Sequence, residues 1–306
     1  MLYNLLYKIY FVKFNNSFLD KYYKVNSIRI CNIIFPILFR LPIYKRNKPS
    51  NLNTSKNEYV VSLTTFPARI KNVWLTIETI LRQTEKPYKI ILWLYRGEFN
   101  GKKSLPKELL RLEKRGLEIR FCNENLMPHK KYFYSMLEFP NSNIITIDDD
   151  VYYPLNLIKK LSDFHKKYPC SILSPFSRKI NIANNKTTPY EKWNYMSNNS
   201  KPTLSILPIG VGSVLYPPKA LHKEVFNKKE LKKLALEADD LWLKVMSIKQ
   251  GTKVTSMAGE YQRHFIPVII TNNKSLMDDN IDKGNNDRIF NSLIDNYQIP
   301  INIYDD

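Results

Sequence analysis

Cysteine is scarce in this chain: Cys31, Cys122 and Cys170 are three, odd in number and widely spaced. That excludes a disulfide scaffold and a thiolate zinc pattern, and fits reduced thiols, mostly core filler, in a cytosolic setting. Long apolar runs are missing as well. The stretch from Ile30 to Phe39 is bracketed by Arg29 and Arg40 and broken by Pro36, well short of the ~20 residues a spanning helix needs. No small-residue cleavage site follows a clean apolar core, so a secretory signal peptide fits poorly. No internal repeat is present, which excludes a solenoid. Acidic residues are few, 28 against 47 Lys and Arg, giving a formal charge of +19. Such a balance favours an anionic partner: a phosphate-bearing substrate, an anionic membrane surface or nucleic acid. No recognisable nucleic-acid-binding motif occurs and the basic residues are spread rather than striped, so no nucleic-acid partner is expected.

What is present is enough to fold. With 306 residues, 43% of them hydrophobic, the chain can bury one large core and carry an appendage. Residues 1–50 differ from the rest. Leu, Ile, Phe and Tyr alternate there with Lys8, Lys13, Lys21, Lys24, Arg29, Arg40, Lys45, Arg46 and Lys48, and Asp20 is the only acid. This basic hydrophobic extension suits either an anionic membrane surface or a helical layer packed on the main domain. Residues 47–57 read as a polar, Pro-containing linker.

From residue 58 to about 300 the pattern alternates. Strands are expected at 59–64, 89–94, 117–122, around 144–147, at 171–174 and at 252–255. Helices are expected at 71–83, 106–115, 130–137, 155–167, 239–249 and 288–297, the last preceded by a turn and cap at 284–287. The fold class is therefore α/β with a mainly parallel sheet, whose ligands bind at the carboxyl ends of the strands. That rule places Thr64, Thr65 and Arg69, the Asn123-Glu124-Asn125 turn, and Asp148, Asp149 and Asp150 on one rim.

The run Ile144-Ile145-Thr146-Ile147 ends in three consecutive aspartates. Side chains alternate along a strand, so Asp148 and Asp150 are expected to share a face with Asp149 opposite. Three repelling charges at the end of a buried strand are costly unless a cation or basic side chains compensate. A divalent Mg²⁺ or Mn²⁺ held by Asp148 and Asp150 with substrate phosphates is the favoured explanation; a solvated turn is the bland one.

Three later features add to it. A polar loop at 178–202 carries Tyr190, Trp193 and Tyr195, suited either to a sugar ring or to local packing. Gly210 and Gly212, two of only eight glycines, permit close backbone approach to a ligand or a tight bulge. Asp239 and Asp240 open an apolar helix, as a cap or as a base for an acceptor hydroxyl. His264 stands alone and reads as structural before it reads as a ligand.

In order and spacing, Val-Ser-Leu-Thr-Thr-Phe-Pro-Ala-Arg-Ile at 61–70, Thr-Ile-Asp-Asp-Asp at 146–150, Gly-Val-Gly-Ser-Val-Leu-Tyr-Pro-Pro at 210–218 and Ala-Asp-Asp-Leu-Trp-Leu at 238–243 resemble bacterial glycosyltransferases of the GT-A fold. The likeness is to those of capsule and lipopolysaccharide synthesis, and more distantly to the exostosin carboxyl-terminal domain. The resemblance implies a Rossmann-like sheet over residues 58–300. It makes Asp148 and Asp150 the metal-binding Asp-x-Asp, and it assigns Thr64, Thr65, Arg69, Asp149, Gly210 and Gly212 to the nucleotide-sugar site. Asp240, with Asp239 beside it, falls at the catalytic acidic pair, although Asp239 stands where the exostosin pattern has Glu. The implied acceptor is a glycan or a lipid-linked hydroxyl, on the inner side of a membrane. A metal-dependent nucleotidyltransferase and a non-enzymatic nucleic-acid binder are the alternatives.

Overall fold

The computed structural model describes residues 2–12, 14–41, 59–260, 265–270 and 284–304. The expected linker at 47–57 and His264 lie outside them. The centre is a seven-stranded sheet in the order β12-β6-β11-β4-β1-β2-β3. Its strands are β1 (Tyr59–Thr64), β2 (Lys89–Tyr95), β3 (Leu117–Cys122), β4 (Asn143–Thr146), β6 (Ile172–Ser174), β11 (Val214–Tyr216) and β12 (Val254–Ser256). Strands β1 to β4 pair in parallel, as do β6 and β12, whereas β11 lies antiparallel between β4 and β6. The α/β class and the mainly parallel sheet expected from the sequence are observed. The apolar runs of β1 and β2 are buried almost end to end, as strands covered on both faces require.

Helices flank this sheet: α3 (Val73–Leu81), α4 (Lys107–Leu110), α5 (Lys130–Glu138), α6 (Leu157–Lys167), α7 (Lys228–Leu234), α8 (Asp239–Gln250) and α9 (Asn285–Tyr297). The helix expected over 106–115 is only the short α4, continued by a 3₁₀ turn to Arg115. Gly116 ends that turn in the left-handed region at φ 108°, where a side chain would strain the backbone.

The direction of β11 was not expected, and it matters. Val214 pairs with Thr146, so the chain entering β11 arrives at the rim where β4 ends. Were β11 parallel, residues 210–213 would sit at the opposite edge. Helix α8 precedes the parallel strand β12 and therefore starts at this same rim.

Two helices precede β1. Helix α1 (Leu2–Tyr10) is joined to α2 (Ser17–Arg40) by a turn in which the Asn16 side chain accepts the Phe18 and Leu19 N–H groups, a standard cap. Tyr3, Tyr7, Tyr10, Phe35 and Phe39 enter the same core cluster as Trp74, Tyr152 and Tyr153. One face of α1 and α2 is thus a helical layer on the main domain. All three cysteines are free thiols; Cys31 and Cys122 are buried and Cys170 is exposed.

Candidate active site at the carboxyl rim

The aspartate run begins two residues beyond β4, and its backbone is gripped from several sides. Thr76 and Thr79 on α3, with Gln83 just past its end, share one helical stripe. The Thr76 hydroxyl donates to the Asp149 carbonyl at 3.0 Å and accepts the Val151 N–H at 3.1 Å. Thr79 accepts the Tyr153 N–H, and Gln83 donates to the Pro154 carbonyl and accepts the Ile158 N–H. Strand β5 (Val151–Tyr152) pairs with β13 (Ile266–Pro267) on a second side. On a third, the Tyr3 and Tyr7 hydroxyls donate to the carbonyls of Tyr153 and Tyr152 at 2.7 and 3.1 Å. The Tyr153 hydroxyl accepts the Asp148 N–H at 3.0 Å and donates to the Val211 carbonyl at 3.2 Å, tying the two site loops together.

Basic side chains reach all three aspartates. Arg69 Nη1 lies 2.8 Å from both Asp149 and Asp150. Lys131, on α5, lies 2.9 Å from Asp148 and 2.9 Å from Asp239. The second contact is an ion pair without hydrogen-bond alignment, since Asp239 Oδ2 finds no hydrogen-bond donor among the described residues. Burial alone would lower the Lys131 pKa, but Asp148, Asp239 and Asp240 outweigh it and hold the ammonium charged. Arg69 is likewise held charged, by Asp149 and Asp150 against its burial.

Five carboxylates therefore face two cations. The surplus raises the acids: burial, then Asp149, pushes Asp150 up to about 7, and burial, then Asp239, pushes Asp240 up to about 7. Asp149 is also raised, mainly by burial. The side chains of Asp148 and Asp150 are 29% and 27% exposed, against 7% for Asp149.

Gly210 sits where the two acidic groups meet. A Cβ there would lie 2.9 Å from Lys131 Nζ, 3.1 Å from Asp240 Oδ1 and 3.5 Å from Asp148 Oδ1. Its N–H donates to Asp240 Oδ2 at 3.0 Å. Neither Asp239 nor Asp240 caps α8 in the usual way: Ala238 is the cap residue and the helix start has no side-chain capping bond. Gly212 is pressed against Phe176, where a Cβ would approach that residue's Cβ to 2.4 Å and its backbone N to 3.0 Å. Gly212→Ala is therefore expected to destabilise the protein by about 1–3 kcal/mol through overpacking against a backbone that cannot yield, measured by urea denaturation. Ser213 next to it is buried at φ 71°, and its hydroxyl has no partner among the described residues, so backbone strain is stored beside the acids.

The other expected site residues are placed as follows. Thr64 donates to the Trp93 carbonyl at 2.8 Å and Thr65 donates to Asp149, so both hydroxyls are engaged within the protein. Asn125 binds Glu98 and Lys130, and Glu124 pairs with Lys228 and Lys232. In the 178–202 loop, flanked by the antiparallel pair β7 (Ser177–Lys179) and β10 (Ile206–Pro208) and containing a small hairpin of β8 (Ile182–Ala183) and β9 (Lys186–Thr187), Trp193 is buried against Phe290. Tyr190 and Tyr195 flank the Arg178 guanidinium at 4.6 and 4.0 Å, and Tyr195 stacks on Phe176. Burial raises the Tyr190 pKa, and Asp240 is among the charges that add to it. Sequence reasoning missed Lys131, which stands in the expected helix at 130–137. Its signal was position: it lies four residues before Ser135, whose hydroxyl contacts Ser62 of β1.

No protein-family model and no curated protein matches the sequence. Solved structures of similar fold include residues 1–349 of TarS from S. aureus in complex with UDP-GlcNAc, 13% identical with a TM-score of 0.45, covering 72% of this chain and 60% of that one. The same portion of TarS in another crystal structure is 12% identical at a TM-score of 0.44, over 68% and 59%. HddC from Yersinia pseudotuberculosis, complexed with GMP-PN, is 13% identical at 0.35, over 54% and 78%. The chain spans about three fifths of the TarS 1–349 chains it matches.

Proposed function

We propose that the chain is a GT-A glycosyltransferase whose domain covers residues 58–300 and which moves a sugar from a nucleotide-diphosphate donor to a hydroxyl of a glycan or lipid-linked acceptor. The observation that carries this reading is the meeting of Asp148 with Asp239 and Asp240 around Gly210, bridged by Lys131, at the carboxyl end of β4. Carboxylates distant in sequence converge where an open α/β sheet binds its ligands. The four motifs that resemble capsule and lipopolysaccharide enzymes support surface polysaccharide synthesis as the setting.

A divalent cation fits this site in a limited way. Among the described residues no cluster of three or more His, Cys, Asp or Glu surrounds a common point, so the protein alone does not complete a coordination shell. Asp148 and Asp150 are the more open of the three aspartates, and Mg²⁺ or Mn²⁺ commonly takes one or two carboxylates with substrate phosphates and water. Bound there, the ion would supply charge to offset the diphosphate leaving group. Arg69 adds a fixed positive charge to the same rim. The acceptor oxygen bonds to the anomeric carbon as the bond to the diphosphate breaks, and Asp240 takes the hydroxyl proton. Gly210, lacking a side chain, lets the reacting groups approach Asp240.

Calorimetry of nucleoside diphosphate binding with and without Mn²⁺ tests the reading. Because even outer groups of metal sites are worth ~10–100-fold in affinity, the Asp148→Ala, Asp150→Ala double variant is expected to lose at least that in metal-dependent binding. Unchanged metal dependence would remove the metal site. A screen of sugar nucleotides for hydrolysis identifies the donor; release of pyrophosphate from a nucleoside triphosphate instead would assign the site to nucleotidyl transfer.

A further inference from the structure

The inward face of α1 and α2 is explained by the core; the outward face is not. Of fifteen exposed large hydrophobic side chains among the described residues, twelve fall between Leu5 and Leu41. Phe18 is 74% exposed, Tyr22 66% and Ile33 65%. Along α2, Phe18, Tyr22, Val25, Ile33 and Ile37 recur at helical spacing, with Arg29 filling the gap in the row. The opposite side of the same helix buries Cys31, Phe35, Leu38 and Phe39. Helix α2 is thus apolar on two faces, and only one of them has a protein partner among the described residues. Soluble monomers rarely leave so much contiguous apolar surface to water unless it binds something.

Charge selects the occupant. Lys8, Lys21 and Arg29 are exposed on the same two helices, while Asp20, the only acid there, accepts the Phe14 N–H. Cations exposed on the same helices as exposed Phe, Tyr and Ile match a surface that is anionic above and hydrocarbon below. No helix among the described residues is long and apolar enough to cross a membrane, and α2 carries Lys21, Lys24, Arg29 and Arg40 along its length. We propose that the outward face of α1 and α2 docks on an anionic phospholipid bilayer, with the helices lying in the interface.

The attachment is stiff. Tyr3 and Tyr7 are hydrogen-bonded to the carbonyls of Tyr153 and Tyr152, and Phe35 meets the Tyr152 ring at 4.8 Å. The docking layer is therefore anchored within a few residues of Asp150. A bilayer bound there fixes the orientation of the acidic rim relative to the membrane, whatever reaction the rim performs.

Co-sedimentation of the full chain with vesicles tests this, comparing neutral phosphatidylcholine with mixtures containing phosphatidylglycerol, at low and high salt. Binding to the anionic vesicles is expected to exceed binding to neutral ones by about tenfold or more, since several basic side chains act together, and to weaken with salt. Phe18→Glu with Ile33→Glu should lower it by at least about tenfold, through lost apolar burial and added repulsion. Leu137→Glu, an exposed apolar side chain elsewhere, should leave it unchanged. Circular dichroism checks folding. Should the double variant misfold, Lys21→Glu with Arg29→Glu asks the same question and must erase the preference for anionic vesicles. The proposal is overturned by absence of binding to anionic vesicles, by binding that none of these substitutions lowers, or by self-association in sedimentation velocity that the Phe18/Ile33 variant abolishes, which would give the face to a second copy of the chain.

Discussion

Asp240→Asn should lower turnover by about 10²–10⁴-fold, the range a positioned general base contributes, while donor affinity changes little. The substitution is well isolated. Asp240 Oδ2 accepts the Gly210 N–H, and an asparagine oxygen can accept it equally, so the loop keeps its anchor and only charge and basicity are lost. Burial and the neighbouring Asp239 raise Asp240 to about 7, which suits a base that must both take and release a proton near neutrality. Asp239→Asn is the comparison, because Asp239 is held by Lys131 and is mostly buried. Its loss leaves Lys131 with Asp148 as its close ion-pair partner. It is expected to reduce stability and, through the position of Lys131, donor binding. Single-turnover kinetics beside donor titrations separate the two. Should Asp239→Asn alone abolish the chemical step while Asp240→Asn spares it, the roles are reversed.

The frame of the molecule was legible because it is written in apolar runs. Residues 59–64, 89–95 and 117–122 are strands close to where their β-branched and aromatic content puts them, and Gly251 ends α8 at φ 75° as a left-handed cap. The placement of β11 was not legible. Three residues, Val214 to Tyr216, give no periodicity, and nothing local records whether a strand runs with or against its neighbours. That one reversal brings Gly210 to Asp148. The compensation of the aspartates was half visible: the need for positive charge followed from the acids, but its source did not. Arg69 lay in a quoted motif, whereas nothing local marks Lys131, which tertiary packing buries. Thr76, Thr79 and Gln83 carried a readable signal, a polar stripe at steps of three and four along one side of the helix.

Lys244 yields the largest expected change in stability. It lies on α8 amid Leu241, Trp242, Leu243, Val245, Met246 and Ile248, all buried, and is itself 1% exposed. Its Nζ finds no hydrogen-bond partner among the described residues. An unpaired ammonium in such surroundings is unfavourable, and burial pushes the Lys244 pKa down to about 7. The sign of the pH dependence follows. An unfolded lysine keeps its proton up to about 10.4, whereas the folded one gives it up near 7. Between those values the unfolded chain binds more protons, so this residue's contribution to stability improves as pH rises through that window and is worst, and flat, below it. Lys244→Met keeps the aliphatic length and removes the charge. At pH 6.5 the variant should be more stable than the parent by roughly 2–4 kcal/mol, and the difference should shrink as the pH approaches 10. Urea denaturation of both proteins at the two pH values reads this directly. A variant no more stable than the parent at pH 6.5, or a gain that does not shrink with pH, would mean that the ammonium is satisfied in the folded protein.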